Sequence, residues 1–305
     1  MSWEMELDRA VTCELPELHY AADEPMSRHT SFRVGGPAKR MAFPKTAEQV
    51  AALLALARGC GAKTLVLGNG TNLLAPDGGL DRLVINMSEN MTAIGAESDG
   101  SITAQCGATL ARIAEFARKH SLTGLEFAHG IPGTLGGAVC MNAGAYGGEM
   151  KDVVRRVAFL DESGTVRMLS GAEMDFSYRH SILTEHPDWT VLHAELCLSP
   201  GDAEAIGERM RELMAKRKAS QPLEYPSAGS TFKRPTGHYA GALIEQCGLK
   251  GARVGGAEVS TKHAGFVINR GDATCADVLA LIAHIQKTVL DATGVTLEPE
   301  VKIVR

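Results

Sequence analysis

A glycine-rich stretch in the middle of the chain, "GIPGTLGGAVCMNAGAYGG" (130–148), constrains the fold more than any other part of the sequence. Because glycine has no Cβ, such a run lets main-chain N–H groups approach a ligand and form a concave anion site. A second segment of this type, "LGNGTNLL" (67–74), follows a predicted strand. Each segment alone is equally typical of a tight turn, but the two together predict a nucleotide or dinucleotide ligand.

The familiar nucleotide-binding motifs do not explain these segments. A GxGxxG motif that starts at Gly68 fails at its third glycine position, which is Leu73, and the sequence has no GxxxxGK[ST] motif. The pattern therefore disfavours a Rossmann fold and a P-loop, and it leaves the chemistry open.

Length and composition narrow the function classes. A chain of 305 residues predicts two or three domains. The net charge of −5, with scattered Lys and Arg, disfavours nucleic-acid binding, and no apolar run approaches the length of about 18 residues that a membrane span needs. The seven cysteines are widely spaced and form no CxxC pair, which predicts reduced thiols. The histidines form no HExxH motif, so we expect no metal. Because the N-terminus lacks the apolar region of a signal peptide, we expect a cytoplasmic protein.

Hydrophobic periodicity and capping residues predict an α+β architecture, with mixed strands and helices rather than a strict βαβ alternation. The stretch 153–170 is typical of a hairpin that turns at Glu162, Ser163 and Gly164. Helices are predicted at 46–59, 109–122, 202–219, about 240–247 and 274–292. Further strands are predicted at 63–68, 80–87, 101–107, 190–199, near 264–268 and at 300–304.

Three segments carry residues suited to catalysis, and each has a plain structural alternative. Ser230 in "YPSAGSTFKRP" is either a proton relay or an ordinary turn serine. Arg179 in "FSYRHSIL" either orients a carboxylate or forms a structural ion pair. Glu298 and Glu300 lie on the same face of a predicted strand. This face either holds a buried carboxylate with a shifted pKa or is a solvated strand edge.

Eight segments, taken in order, resemble the UDP-N-acetylenolpyruvoylglucosamine reductases, flavoenzymes of peptidoglycan precursor synthesis. The resemblance covers nearly the whole chain. Its segments are "HTSFRVGGPA", "LGNGTNLL", "GIPGTLGGAVCMNAGAYGGEM", "YRHSIL", "RKASQPLEYPSAGSTFKRP", "AGALIEQCGLKG", "KHAGFVIN" and "LEPEVKIV".

The resemblance implies an FAD-binding domain of the vanillyl-alcohol-oxidase type at 18–200, with subdomains of about 18–86 and 87–200. A connecting helix at 201–219 would lead to a substrate-binding α+β domain at 220–305, whose last strand returns to the active site. The implied FAD-binding residues are Gly68, Asn69, Gly70, Thr71, Asn72, Leu73, Ile131, Pro132, Gly133, Thr134, Gly136, Gly137, Ala138, Asn142, Gly144 and Ala145.

The reaction that this resemblance implies has two halves. NADPH first reduces the FAD. Hydride from flavin N5 then adds to the enolpyruvyl group of UDP-N-acetylglucosamine enolpyruvate, and Ser230 donates a proton to give UDP-N-acetylmuramate. In the family pattern Arg179 and Glu300 stabilise the negative charge that develops on the substrate carboxylate.

The implied substrate-binding residues are Tyr178, Lys218, Lys233, Arg234 and His263. Arg234 stands where some members have asparagine, and His263 where some have glutamine. The segment 199–229 is short, so the chain resembles the subgroup that lacks an inserted substrate-closing loop. UDP-N-acetylglucosamine enolpyruvate and NADPH are the expected partners, and we expect a monomeric or weakly self-associating protein.

Two other functions stay open from the sequence. The first is an alcohol or amine oxidase on the same FAD scaffold, in which His129 or Cys140 tethers the flavin. The second is a non-catalytic nucleotide-binding module, which has no evident use for the three candidate catalytic residues together.

Overall fold

The computed structural model describes residues 2–304 and confirms the α+β class. Its helices are α1 (Trp3–Glu14), α2 (Ala47–Gly59), α3 (Leu110–Lys119), α4 (Leu135–Cys140), α5 (Ala203–Ser220), α6 (Ala240–Gln246) and α7 (Cys275–Thr293). Its strands are β1 (His19–Pro25), β2 (Pro37–Phe43), β3 (Thr64–Leu67), β4 (Leu73–Leu74), β5 (Leu80–Asn86), β6 (Ile94–Ala96), β7 (Ile102–Gln105), β8 (Leu122–Thr123), β9 (Gly144–Ala145), β10 (Gly148–Glu149), β11 (Val154–Leu160), β12 (Val166–Ser170), β13 (Thr190–Leu196), β14 (Ser199–Pro200), β15 (Arg253–Val254), β16 (Ala257–Val259), β17 (Val267–Asn269) and β18 (Lys302–Ile303).

The chain forms two compact units, and each contains discontinuous segments. The N-terminal unit comprises the chain up to Ala22, Arg40–Asn69 and Arg82–Lys216. The C-terminal unit comprises Asp23–Lys39, Gly70–Asp81 and the chain from Arg217 onward. The domain boundaries expected from the family resemblance stay a prediction.

Strand order is simple in the larger sheets. A four-stranded sheet has the order β1-β2-β5-β3, with β3 parallel to β5. A five-stranded antiparallel sheet in the N-terminal unit has the order β12-β11-β13-β7-β6. The C-terminal unit contains the antiparallel sheet β15-β16-β17 and the short parallel pair β18-β4.

Local sequence signals account for most of these elements. The Thr46 hydroxyl accepts the N–H of Gln49 and begins α2 where the capping residue predicts it. Thr274 and Asp277 form a capping box that begins α7, and Gly294 ends this helix in the left-handed region. The helix α1, by contrast, was not predicted. It packs Leu7 and Val11, four residues apart, into the core of the N-terminal unit.

Each unit has its own apolar core. In the N-terminal unit, α2 and α3 contribute buried residues such as Leu53 and Ile113, which pack with Val157 of β11 and Ala194 of β13. In the C-terminal unit, α6 and α7 pack buried aliphatic residues against β16 and β17, and Leu74 of β4 joins that cluster. Among residues 2–304 no helix is both long and apolar enough to cross a bilayer.

The predicted hairpin is confirmed, since β11 and β12 pair antiparallel and Leu160 lies opposite Val166. Asp161 organises its turn. One carboxylate oxygen accepts the N–H groups of Ser163 and Thr165, each at 2.9 Å, and the other accepts Arg167 Nε at 2.9 Å. The hydrogen bond from the Ser163 hydroxyl, followed by that from Arg167, holds the pKa of Asp161 well below its usual range.

These contacts predict a pH-dependent contribution to stability. A carboxyl group whose pKa is lowered by folding stabilises the protein above its ordinary pKa of about 4 and loses this effect as the pH falls. We expect Asp161→Asn to lower the urea unfolding midpoint at pH 7 and to change it much less near pH 2. Asp188→Asn, at an exposed position of the same unit, is the control and should match the wild type at both pH values. Equal losses at both pH values would contradict the assignment.

Candidate functional site

In the N-terminal unit the structure joins the beginning of the glycine-rich segment 67–74, the first in chain order, to the glycine-rich segment 130–148, the second in chain order. The Asn69 side-chain amide donates to the Pro132 carbonyl at 3.1 Å. A Cβ at Gly68 would lie 2.2 Å from the Thr134 hydroxyl, so only glycine allows this approach. The N–H groups of Leu135 and Gly136 are used internally, by the carbonyls of Ala108 and Cys106. These contacts bring the two segments together.

The same segments leave main-chain donors available. Within residues 2–304, the N–H groups of Asn69, Gly133 and Thr134 donate to no other residue. Adjacent unpaired N–H groups on glycine-rich backbone suit the oxygens of a diphosphate. This donor set fits FAD, the cofactor that the family resemblance implies.

The steric contact at Gly68 predicts a loss of cofactor affinity. Relieving the overlap requires buried Thr134 to leave its rotamer or the segments to move apart, at a cost of about 1–3 kcal/mol, so Gly68→Ala is expected to weaken FAD binding about five- to hundredfold. The measurement is titration of the apoprotein with FAD, followed by flavin fluorescence. Gly78→Ala is the matched control, since its Cβ would meet nothing within 4 Å. Unchanged FAD affinity in Gly68→Ala would contradict the expectation.

A tight two-residue turn presents Tyr178 and Arg179. Ser177 and His180 exchange hydrogen bonds of 3.2 Å across it, and Arg179 lies in the left-handed region with φ of 55°. The guanidinium of Arg179 lies 5.0 Å from the centre of the Tyr178 ring, which is half exposed. The turn thus places a cation and an aromatic ring at one tip.

Asn142 connects this tip to the second glycine-rich segment. Its amide nitrogen donates to the Ser177 carbonyl at 3.0 Å and to Glu149 at 2.8 Å, while its amide oxygen accepts the N–H of Lys151. The Lys151 ammonium, with smaller contributions from Asn142 and the Arg179 charge, holds the pKa of Glu149 below its usual range. The Asn142 side chain is buried and engaged within the protein, and its N–H donates to the Val139 carbonyl at 3.3 Å, so only its backbone carbonyl is left for a cofactor.

In the C-terminal unit the other two predicted catalytic residues come close together. The Glu300 N–H donates to the Thr231 carbonyl at 2.8 Å, and Phe232 lies opposite Pro299 in a β-bridge. Ser230 therefore immediately precedes the stretch that pairs with the chain around Glu300. The Ser230 side chain is exposed, and no hydrogen bond links it to another residue between 2 and 304.

The remainder of the first glycine-rich segment lies next to this pair. The Asn72 amide donates to the Glu300 carbonyl at 3.0 Å, and Lys302 pairs with Leu73 in the parallel pair β18-β4. A Cβ at Gly70 would lie 2.0 Å from the His29 carbonyl oxygen, and this glycine has φ of 58°. The N–H groups of Gly70, Thr71 and Asn72 donate to no other residue within 2–304.

The two glutamates of "LEPEV" differ in environment. Glu298 is exposed and pairs with Lys233, whereas Glu300 is partly buried. Glu298 therefore fits the solvated-edge alternative, and Glu300 is the carboxylate that the fold retains near Ser230.

The predicted substrate-binding residues of this unit differ in their exposure and in their contacts. Arg234 stacks over the Tyr239 ring at 4.6 Å, and Lys218 is exposed at the end of α5. Burial lowers the pKa of His263, whose Nδ1 accepts the Gly265 N–H at 3.1 Å. A neutral His263 therefore carries its proton on Nε2, as a donor.

One cluster was not anticipated. Ligand-type atoms of Asp175, His180 and Glu185 lie within 4.8 Å of one another. The three residues are five positions apart in the chain, a spacing that did not draw attention to them in the sequence. Asp175 and Arg179 have left-handed backbone conformations, and the bends at these positions bring the three side chains together. His180 Nε2 lies 3.1 Å from Glu185 and Nδ1 lies 3.1 Å from the Asp175 carbonyl, so hydrogen bonds account for the arrangement. The expectation of no metal stays a prediction.

Known proteins share both sequence and fold with this chain. Residues 38–170 match the FAD binding domain family, and residues 221–304 match the family of the UDP-N-acetylenolpyruvoylglucosamine reductase C-terminal domain. A curated UDP-N-acetylenolpyruvoylglucosamine reductase from Caldanaerobacter subterraneus is 54% identical over 92% of each chain. One from Clostridioides difficile is 48% identical over 92% of each chain. The chain belongs to the UDP-N-acetylenolpyruvoylglucosamine reductase family.

Solved structures agree with this assignment. The reductase of this family from Thermus caldophilus superimposes with a TM-score of 0.77 at 34% identity, covering 94% of this chain and 99% of that one. A glucooligosaccharide oxidase from Acremonium strictum has a TM-score of 0.50 at 13% identity, covering 96% of this chain and 59% of that one. The second likeness shows the fold alone. The predicted α+β fold with an FAD-binding domain is thus confirmed.

Proposed function

We propose that this protein is an FAD-dependent oxidoreductase that reduces UDP-N-acetylglucosamine enolpyruvate to UDP-N-acetylmuramate with NADPH, in peptidoglycan precursor synthesis. Similarity to reductases over more than nine tenths of the chain carries the proposal. The open main-chain donors of the glycine-rich segments support FAD as the cofactor. We assign FAD binding to the residues of 68–73 and 131–138, with Asn142, Gly144 and Ala145 beside them.

Bound FAD supplies the chemistry of accepting hydride from NADPH and passing it to the carbon of the enolpyruvyl double bond that is β to the carboxylate. The protein must then stabilise the negative charge that develops on the substrate and deliver one proton to it. Addition of hydride to the β carbon shifts electron density onto the carboxylate as an enolate. We assign Arg179 to stabilise this charge, since a guanidinium pairs bidentately with a carboxylate.

Ser230 is assigned to protonate the α carbon, which completes the addition of two hydrogen atoms across the double bond. A hydroxyl is a weak acid, so it needs a nearby group to support its proton transfer. Glu300 is the candidate, because the pairing of Glu300 N–H with the Thr231 carbonyl holds the two segments together. Tyr178, Lys218, Lys233, Arg234 and His263 are assigned to binding of the nucleotide-sugar.

The deciding experiment follows the absorbance of bound flavin under anaerobic conditions. We expect NADPH to bleach the oxidised flavin and UDP-N-acetylglucosamine enolpyruvate to restore it, with a product heavier by two hydrogen atoms. UDP-N-acetylglucosamine, which lacks the double bond, is the control and should restore nothing. If the reduced flavin does not respond to the enolpyruvyl sugar and is reoxidised only after oxygen is admitted, the oxidase alternative is favoured instead.

We also propose that the chain belongs to the subgroup without an inserted closing loop. The support is the continuity of the fold here, since α5 ends at Ser220 and Ser227 already pairs with Ile268 in a β-bridge. We further propose that the protein acts in the cytoplasm as a monomer or weak self-associate. Sedimentation at several protein concentrations tests the last point.

A further inference from the structure

A buried ring nitrogen next to the second glycine-rich segment has no hydrogen-bond partner. Nδ1 of His129 is shielded from solvent and contacts no donor or acceptor within residues 2–304. Most buried polar side-chain atoms in folded proteins are hydrogen-bonded, and an unpaired one is costly. Such an atom indicates a partner that the polypeptide itself does not supply.

The backbone places His129 at the entrance to the proposed FAD loop. The Ile131 N–H donates to the Ala128 carbonyl at 2.9 Å, which closes a turn with His129 as its second residue. Pro132, three residues further on, accepts the hydrogen bond from Asn69. Because Ala128 is fully buried, the turn is anchored on the core side. His129 therefore lies close to the point where Asn69, at the beginning of the first glycine-rich segment, meets the second.

The Glu115 carboxylate of α3 does not supply the missing partner. The hydrogen bond from the Arg118 guanidinium is the main cause that lowers the pKa of Glu115. Both Glu115 oxygens accept hydrogen bonds from Arg118, at 2.9 and 2.6 Å. Glu115 is thus already satisfied as an ion pair along α3.

We propose that His129 Nδ1 takes its hydrogen-bond partner from bound FAD, in a non-covalent contact that contributes to cofactor affinity. Flavin ring carbonyls, ring nitrogens and ribityl hydroxyls can accept from or donate to an imidazole nitrogen. No covalent bond forms or breaks in this contact. The inference rests on the proposed assignment of residues 131–138 to FAD.

The test is titration of the apoprotein with FAD, with binding read from flavin fluorescence. We expect His129→Ala to weaken binding about tenfold, the effect of one hydrogen bond to a buried group. His129→Asn places an amide nitrogen near the position of Nδ1 and should stay within about threefold of wild type. His129→Gln extends its amide toward the position of Nε2 and should resemble the alanine variant. His284→Ala, an exposed histidine on α7, is the control and should bind normally.

Three results would overturn the proposal. Wild-type affinity in His129→Ala would show that the ring makes no useful contact, and rescue by glutamine but not asparagine would assign the contact to Nε2. Flavin that stays attached to the denatured wild-type protein would show a covalent link instead. Should the alanine variant fail to fold, the asparagine and glutamine pair still decides. Because the titration measures FAD binding and not turnover, its outcome is separable from failure of the proposed reductase reaction.

Discussion

Replacement of Ser230 by alanine is expected to slow the oxidative half-reaction by about 10²- to 10⁴-fold, the usual contribution of a positioned general acid. The reason is that hydride addition leaves the α carbon needing a proton, and water is a poorly placed donor. Reduction of the flavin by NADPH needs no proton from this hydroxyl, so its rate should stay near that of the wild type. The Ser230 side chain is exposed and has no protein hydrogen bond within 2–304, so its removal should leave stability nearly unchanged.

Stopped-flow absorbance separates the two halves of the Ser230 experiment, first with NADPH alone and then with the enolpyruvyl sugar added to reduced enzyme. Ser227→Ala is a matched control from the same loop, since Ser227 uses its carbonyl, not its hydroxyl, to accept a hydrogen bond from Ser31. This control should reoxidise normally. An oxidative half-reaction of near wild-type speed in Ser230→Ala would remove Ser230 from the mechanism.

Replacement of Arg179 by alanine is expected to slow the same half-reaction by about 10²- to 10³-fold, as removal of one oxyanion-stabilising donor does elsewhere. The guanidinium would act most strongly when charge builds on the substrate carboxylate. Flavin reduction by NADPH develops no such charge and should be largely spared. Lysine at position 179 should rescue only part of the loss, because an ammonium lacks the planar fork that binds a carboxylate bidentately.

Arg33→Ala is an informative control for the Arg179 variant. Arg33 has φ of 55°, the same value as Arg179, so both replacements put alanine into the same strained backbone region. Any loss that comes from backbone strain alone should therefore appear in both variants. Thermal unfolding of the two variants checks this point, and the stopped-flow rates then isolate the chemical role. Equal slowing of both half-reactions in Arg179→Ala would contradict a role confined to the substrate carboxylate.

Helices and strands with strong local signals were predicted well from the sequence. The capping hydroxyl of Thr46, the hairpin around Asp161 and the apolar periodicity of α3 and α7 act over a few residues, so they are visible in any short window. The helix α1 was missed because only two of its residues, Leu7 and Val11, are buried, and the others are exposed or partly exposed. Helices of this kind are stabilised by their surroundings rather than by intrinsic propensity.

The candidate site was predictable only in part. The glycine-rich segments predicted a cofactor loop, because glycine is needed where another group lies too close for a Cβ, as the Thr134 side chain does at Gly68 and the His29 backbone does at Gly70. The roles proposed for Arg179, Ser230 and Glu300 came from family resemblance, and they stay predictions. The sequence had no signal for the Asn142 contact with the Ser177 carbonyl, since 35 residues separate the two in the chain.

The sequence by itself determined the α+β class, the family and the need for bare backbone around a dinucleotide, because these depend on residue type and local order. Only the tertiary structure decided that Glu298 is a solvated partner of Lys233, while Glu300 is partly buried and its N–H donates to the Thr231 carbonyl next to Ser230. It also decided that His129 carries a buried nitrogen with no protein partner within 2–304. The physical reason is that burial and hydrogen-bond pairing depend on residues far apart in the chain, which no local pattern records.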